Sequence, residues 1–285
     1  MKEIIIPSTY NYVAAFLTLY CNYHCSYCLN YFGEFKVSYK HLSGEEWVRG
    51  LNRITASDNL PITLQGGEPT LHKDFIYIIN HLKPELNIDI LTNLQLDVDE
   101  FIERVNPARL KRNASYASIR VSFHPEVMNL EETINKTLKM LNAGFSIAIW
   151  GVLHPRYEEV ILKAKFLCEK YGIDFRTKEF LGRYNGKLYG TYKYPEACEG
   201  KATKDVLCKT TELIIGPDGR IYRCHSDLYE NRLPIGHILD EGFSIIDEYR
   251  LCRFFSYCNP CDIKIKTDRF QQYGHTSVAI KLDER

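Results

Sequence analysis

Three cysteines, Cys21, Cys25 and Cys28, form a C-x3-C-x2-C run. Thiolates at that spacing can converge on one site from a single loop. Structural zinc sites and ordinary iron–sulfur clusters take four protein ligands, but the next cysteine in the chain is Cys168. Three ligands on a four-iron cluster leave one iron open. An open coordination position is how a metal site binds substrate rather than merely holding a fold. The plainer alternative is a zinc knuckle or a set of buried free thiols. His24, inside the loop, is then a candidate zinc ligand, although it reads better as a solvated loop side chain.

A second run, Gly66-Gly67-Glu68-Pro69, follows a short apolar segment. Glycines let backbone approach a ligand closely, and a carboxylate accepts hydrogen bonds from an ammonium group. Together the two runs resemble the signature of the radical S-adenosylmethionine (SAM) superfamily. Tyr27 stands at the aromatic position just before the third cysteine, and Gly66–Pro69 matches the second motif. The resemblance covers roughly residues 12–181. It implies a 4Fe-4S cluster on Cys21, Cys25 and Cys28 whose open iron is chelated by the amino and carboxylate groups of SAM. It implies that Gly66, Gly67, Glu68 and Pro69 hold the methionine amino group. One electron then cleaves SAM to a 5′-deoxyadenosyl radical, which abstracts hydrogen from a substrate. The resemblance also suggests polar SAM contacts at later strand ends: Ser122, with His124 as an alternative, and Asn93. Simple strand-end hydrogen bonding is the rival explanation for Ser122.

The other clustered cysteines are Cys208, Cys224, Cys258 and Cys261, in the order C-x10-G-x4-C and then a distant C-x2-C, with Gly219 as the internal glycine. Four thiolates suit a closed cluster. The pattern resembles the Twitch appendage of radical SAM enzymes, a shortened SPASM domain. That resemblance implies one auxiliary 4Fe-4S cluster, since no cysteine follows Cys261. A zinc site is the rival for this group. Of the three remaining cysteines, Cys168 sits among apolar residues of a helical pattern and reads as core. Cys198 and Cys252 are candidate substitute ligands.

These residues need a frame. Candidate strands are Ala14–Tyr20, Ile62–Gln65, Ile88–Thr92, Ser118–Phe123, Phe145–Leu153 and Ile173–Phe180. They alternate with amphipathic segments at Glu45–Ile54, Lys73–Leu82, Val98–Val105, Leu130–Asn142 and Glu158–Tyr171. Ser43 and Glu46 form a capping box ahead of the first helix. The series predicts an α/β fold, a partial (β/α)6 barrel with right-handed crossovers. Both cysteine loop and glycine motif fall at C-terminal strand ends, where such sheets bind ligands. Residues 1–181 then form the barrel, 182–207 a linker, 208–265 a small Twitch-type domain and 266–285 a tail. In that domain Glu212–Ile215 and Arg220–Arg223 flank the turn Gly216-Pro217-Asp218-Gly219, predicting a β-hairpin, with a helix near Ile245–Phe255.

The chain has 285 residues, 36 basic and 36 acidic, with a formal net charge of zero. That balance argues against a nucleic-acid binder, and the run Arg109, Lys111, Arg112 reads as a solvated helix end. No apolar stretch reaches the ~20 residues of a membrane span, and the N-terminus lacks a signal-peptide pattern. A cytoplasmic protein is expected. Small Twitch enzymes that oxidise an alcohol of an aminoglycoside precursor are similar in length and plan. The resemblance therefore implies dehydrogenation of a small sugar or aminocyclitol, with the auxiliary cluster as electron acceptor and a flavodoxin or ferredoxin as donor. Peptide epimerisation or crosslinking is the alternative; the span before Cys21 leaves no room for the leader-binding domain of many peptide-modifying relatives. A non-catalytic iron–sulfur or zinc protein is the third reading. Substrate-side candidates at strand ends are His124, His154, Lys178, Glu179 and Arg183. Alternation places at most one of Lys178 and Glu179 inward.

Overall fold

The computed structural model describes residues 2–30, 40–56, 59–201, 203–266 and 274–282. After β1 (Ile4–Ile5) comes β2 (Tyr12–Thr18) and then α1 (Gly44–Leu51). The capping box forms: Ser43 Oγ accepts from the Glu46 N–H at 3.2 Å, and the Glu46 carboxylate accepts from the Ser43 N–H at 2.8 Å. The short β3 (Ile54–Thr55) pairs with β1. The order then runs β4 (Ile62–Gly66), α2 (Phe75–His81), β5 (Ile88–Thr92), α3 (Val98–Arg104), β6 (Ile119–Phe123), α4 (Leu130–Asn142), β7 (Ile147–Leu153), α5 (Glu158–Lys170) and β8 (Phe175–Glu179). Strands β2-β4-β5-β6-β7-β8 pair in parallel in that spatial order. This is the expected α/β partial barrel, and it does not close: β8 is a free edge of the sheet.

Alternation along the strands sorts side chains between two layers. Ile62, Leu64, Ile88, Ile90, Ile119, Val121, Ile147 and Ile149 join Trp47, Ile78, Ile134 and Ile161 in the main apolar core. The alternate residues of β5 and β6 include two charges. Asp89 takes a two-point contact from Arg112, Nε to Oδ1 at 2.8 Å and an Nη to Oδ2 at 3.0 Å, and a third from Arg120 at 3.1 Å. Arg112 is thus buried against Asp89, and Arg109 donates to the carbonyls of Leu82, Lys83 and Leu86. The expectation of a solvated helix end at 109–112 is corrected for its two arginines: carbonyls just beyond the end of α2 recruit Arg109 and a buried carboxylate recruits Arg112.

The C-terminal third departs further from the sequence reading. Residues 182–207 are not a plain linker. They hold the hairpin of β9 (Gly182–Tyr184) and β10 (Lys187–Tyr189), a helical turn at Pro195–Cys198 and the start of β11 (Val206–Thr210). The hairpin of β12 (Glu212–Ile215) and β13 (Arg220–Tyr222) forms as expected, but it does not stand apart. β12 pairs in parallel with β2, and β13 pairs with β14 (Gly236–His237), so the hairpin extends the barrel sheet to nine strands. The short α6 (His225–Tyr229) then packs Leu228 and Tyr229 against Ala14 and Phe16 of β2. No helix forms at 245–255. Instead β15 (Arg250–Cys252) pairs with β11, because the free edge of β11 competes for that segment. After α7 (Pro260–Ile263), the tail supplies β16 (Val278–Leu282) to the other edge of β11. Residues 267–273 and 283–285 of the expected tail lie outside the described residues. Among those described, no helix is long and apolar enough to cross a membrane.

Candidate active site

The two sequence motifs meet through backbone. Gly67 donates its N–H to the Thr18 carbonyl at 2.9 Å, and Glu68 donates to the Tyr20 carbonyl at 2.7 Å. This locks the entry to the cysteine loop onto the end of β4. A Cβ on Gly67 would stand 2.0 Å from the Tyr20 oxygen, and one on Gly66 would stand 2.0 Å from the Thr18 oxygen. Close approach of two backbones therefore dictates both glycines. Glu68 is fully buried. Its Oε1 accepts from the Thr70 N–H and the hydroxyls of Thr70 and Thr92, and its Oε2 accepts from the Asn93 N–H at 2.6 Å. Burial pushes its carboxyl up while these donors pull it down. Oε2 retains capacity for a further donor. Asn93 in turn reaches the cysteine loop, donating to Asn22 Oδ1 at 2.8 Å and lying 3.9 Å from Cys21 Sγ.

The far side of the loop is held by residues that sequence reasoning missed. Glu126 accepts from the Ser26 N–H and hydroxyl, both at 3.0 Å. Tyr229 donates to Asn30 Oδ1, and Asn259 donates to the Leu29 carbonyl at 3.1 Å. None of these partners lies near Cys28 in sequence, so spacing carries no trace of them. The Tyr27 hydroxyl and His124 Nδ1 are hydrogen-bonded at 3.1 Å. Burial, then the Cys25 charge, pushes the Tyr27 phenol up, which keeps it neutral. Burial, then the Lys178 ammonium, holds His124 down at about 4, so its ring is neutral at physiological pH.

These elements enclose a cavity of about 290 Å³. Cys21, Cys25, Cys28, Tyr27, Gly66, Gly67, Glu68 and Asn93 line it together with Ser122, His124, Lys178 and Glu179. Pro69 is buried behind the wall, where it starts a helical turn. Both Lys178 and Glu179 reach the cavity, against the expectation that at most one would. Glu179 ends its strand, at the rim, where its carboxylate accepts from the Thr191 N–H and hydroxyl at 3.0 Å. His154 is buried behind Tyr27, stacked on its ring at a centroid distance of 5.0 Å, and Phe180 and Tyr184 meet it edge-on. It supports Tyr27 rather than facing the cavity. Arg183 is exposed on β9, away from the cavity lining. His24 is exposed and Cys168 is fully buried in the core.

The site fits the cofactors its motifs imply. Burial, then mutual repulsion with Cys28 and Cys21, pushes the Cys25 thiol up to about 12, so shared metal charge is what would make it a ligand. Among the described residues no three metal-binding side chains converge on a point suited to one ion, whereas the ligands of a cluster bind separate irons. Gln65, on the cavity wall, accepts from the Tyr12 hydroxyl at 3.0 Å, but its buried Nε2 has no partner among the described residues. A carboxylate or ribose oxygen in the cavity would satisfy that donor.

The second cysteine group assembles elsewhere. Cys198, Cys208, Cys224, Cys252 and Cys258 pack around the apolar cluster of Ala197, Val206, Phe255, Ile263 and Val278. Interaction between the neighbouring Cys208 and Cys252 thiols pulls Cys252 down and pushes Cys208 up. Cys261 is not among the thiols packed there; it lines the first cavity together with Cys28.

Residues 16–142 match the profile of the radical SAM superfamily. A GTP 3′,8-cyclase from Sulfurovum sp. is 24% identical over 276 residues, covering 92% of this chain and 78% of the relative. A PqqA peptide cyclase from Rhodopseudomonas palustris is 31% identical over 107 residues, 38% of this chain and 27% of the relative. Among solved structures, native anSMEcpe with bound AdoMet and Kp18Cys peptide shares the fold with a TM-score of 0.53 at 16% identity, over 80% of this chain and 77% of that one. Residues 16–142, which carry the three-cysteine loop and the glycine motif bonded to it, match the radical SAM superfamily, and together with the shared fold they support a radical SAM enzyme that binds SAM at a 4Fe-4S cluster.

Proposed function

We propose that this enzyme carries out a net oxidation of a small polar substrate held in the cavity beside Lys178, Glu179 and His124. The carrying observation is that one cavity joins the three cysteines and the glycine motif to these polar strand ends. With SAM and the cluster bound, reductive cleavage of SAM supplies a radical that removes a hydrogen atom from substrate. Cys21, Cys25 and Cys28 would hold the cluster, while the Gly66–Glu68 backbone and Asn93 would orient SAM. Neutral His124, hydrogen-bonded to Tyr27 through Nδ1, would present its other ring nitrogen to bound substrate. The second cysteine group would hold an auxiliary 4Fe-4S cluster, and an electron sink is the chemistry such a centre supplies. Sugars and aminocyclitols are the favoured class.

A second reading is a purine nucleotide, favoured by the near full-length likeness to a GTP 3′,8-cyclase. Lys178 and Lys264, both on the cavity wall, would then face its phosphates. The test is anaerobic incubation of reconstituted protein with SAM and dithionite, followed by 5′-deoxyadenosine. Formation by the wild type and none by Cys25→Ala is expected; no formation by the wild type overturns the enzymatic reading. Adding candidate sugars, nucleotides or peptides then separates the readings by which class accelerates SAM consumption and gains or loses hydrogen.

A further inference from the structure

The second cysteine group holds more thiols than one cluster uses, and the fold rather than the spacing decides which ones serve. This inference rests on the auxiliary centre proposed above. In the antiparallel pair β11–β15, Cys208 stands opposite Arg250 and Val206 opposite Cys252. Cys208 and Cys252 are therefore diagonal neighbours, offset by an even number of residues, and their side chains share one face of the sheet. Cys224 caps α6, its sulfur accepting from the Asp227 N–H at 3.4 Å. Cys258 is fixed by its N–H, which donates to the Ala197 carbonyl at 2.8 Å. All four thiols abut the same apolar cluster. The fifth, Cys198, donates to the Pro195 carbonyl of its own turn at 3.4 Å.

Cys261 behaves differently although it closes a C-x2-C pair. Asn259 caps α7 through the Cys261 N–H at 2.9 Å and also grips the Leu29 carbonyl at 3.1 Å. That docks α7 on the first cysteine loop, and Cys261 opens onto the SAM cavity. We propose that Cys208, Cys224, Cys252 and Cys258 hold the auxiliary iron–sulfur centre, and that Cys261 is a wall residue of the SAM cavity rather than a ligand. The pair Cys258 and Cys261 then straddles two sites, one thiol serving each.

Iron content and electron paramagnetic resonance of anaerobically reconstituted protein test this, with Cys252→Ser and Cys261→Ser beside the wild type. The wild type should carry about eight irons, two four-iron clusters. Cys252→Ser should fall to about four and keep the SAM-responsive signal, while Cys261→Ser should keep about eight. A wild type with about four irons overturns the auxiliary centre itself. A full complement in Cys252→Ser, or loss of half in Cys261→Ser, overturns the ligand assignment alone. Retention of the SAM-responsive signal shows that a depleted variant is folded.

Discussion

The two cysteine sites are built in opposite ways. In the first, all three thiols come from one loop between β2 and α1, and the scaffold's task is to pin that loop at Thr18, Tyr20, Ser26, Leu29 and Asn30. In the second, the thiols come from β11, the cap of α6, β15 and the approach to α7, and only strand register and helix docking unite them. A site on one loop is specified by local spacing. A site assembled from distant elements is specified by tertiary pairing, which spacing does not encode.

The sharpest division of the two comes from Cys25→Ala and Cys258→Ala. Cys25→Ala should reduce 5′-deoxyadenosine to background, whereas Cys258→Ala should keep SAM cleavage but uncouple it from product. Equal loss in both, with folding intact, would merge the sites into one function. Next in size is Asp89→Ala in the barrel interior. Removing the partner of two buried arginines should cost about 3–5 kcal/mol, read from urea denaturation. Both sites should release iron together, since both depend on the sheet; selective loss at one would contradict that dependence.

Glu68→Gln should act on the first site only. Its amide cannot accept every donor that now converges on the carboxylate, and about 1–3 kcal/mol should be lost, with weakened SAM binding by calorimetry and an unchanged second centre. The smallest effect is pH-dependent. His124 is held at about 4, against about 6.5 in an unfolded chain. As pH falls through that interval the unfolded chain takes up a proton that the folded one refuses, so stability is lost toward acid and is unaffected above it. His124→Gln should show a shallower fall in urea midpoint between about pH 7 and about pH 5; an equal slope would remove His124 as the cause.

Periodicity and the two motifs made the six parallel strands and the first site legible, because each signal is local: β-branched runs, the Ser43–Glu46 box, the cysteine loop, paired glycines. Glu126, Tyr229 and Asn259 were not legible, since each reaches the loop from a distant part of the chain. The helix expected at 245–255 failed for the same reason, an open edge on β11 outweighing local pattern. Under the ligand assignment proposed here, Cys258 and Cys261 serve different sites, a division that depends on the docking of α7 and that spacing does not encode.

The most direct measurement is resonance spectroscopy of the dithionite-reduced protein with SAM labelled by a magnetic isotope at its amino nitrogen. Hyperfine coupling between that nitrogen and the cluster, lost in Cys25→Ala, is the expected result. A reduced cluster whose spectrum is untouched by SAM and shows no such coupling would contradict the open three-thiol site.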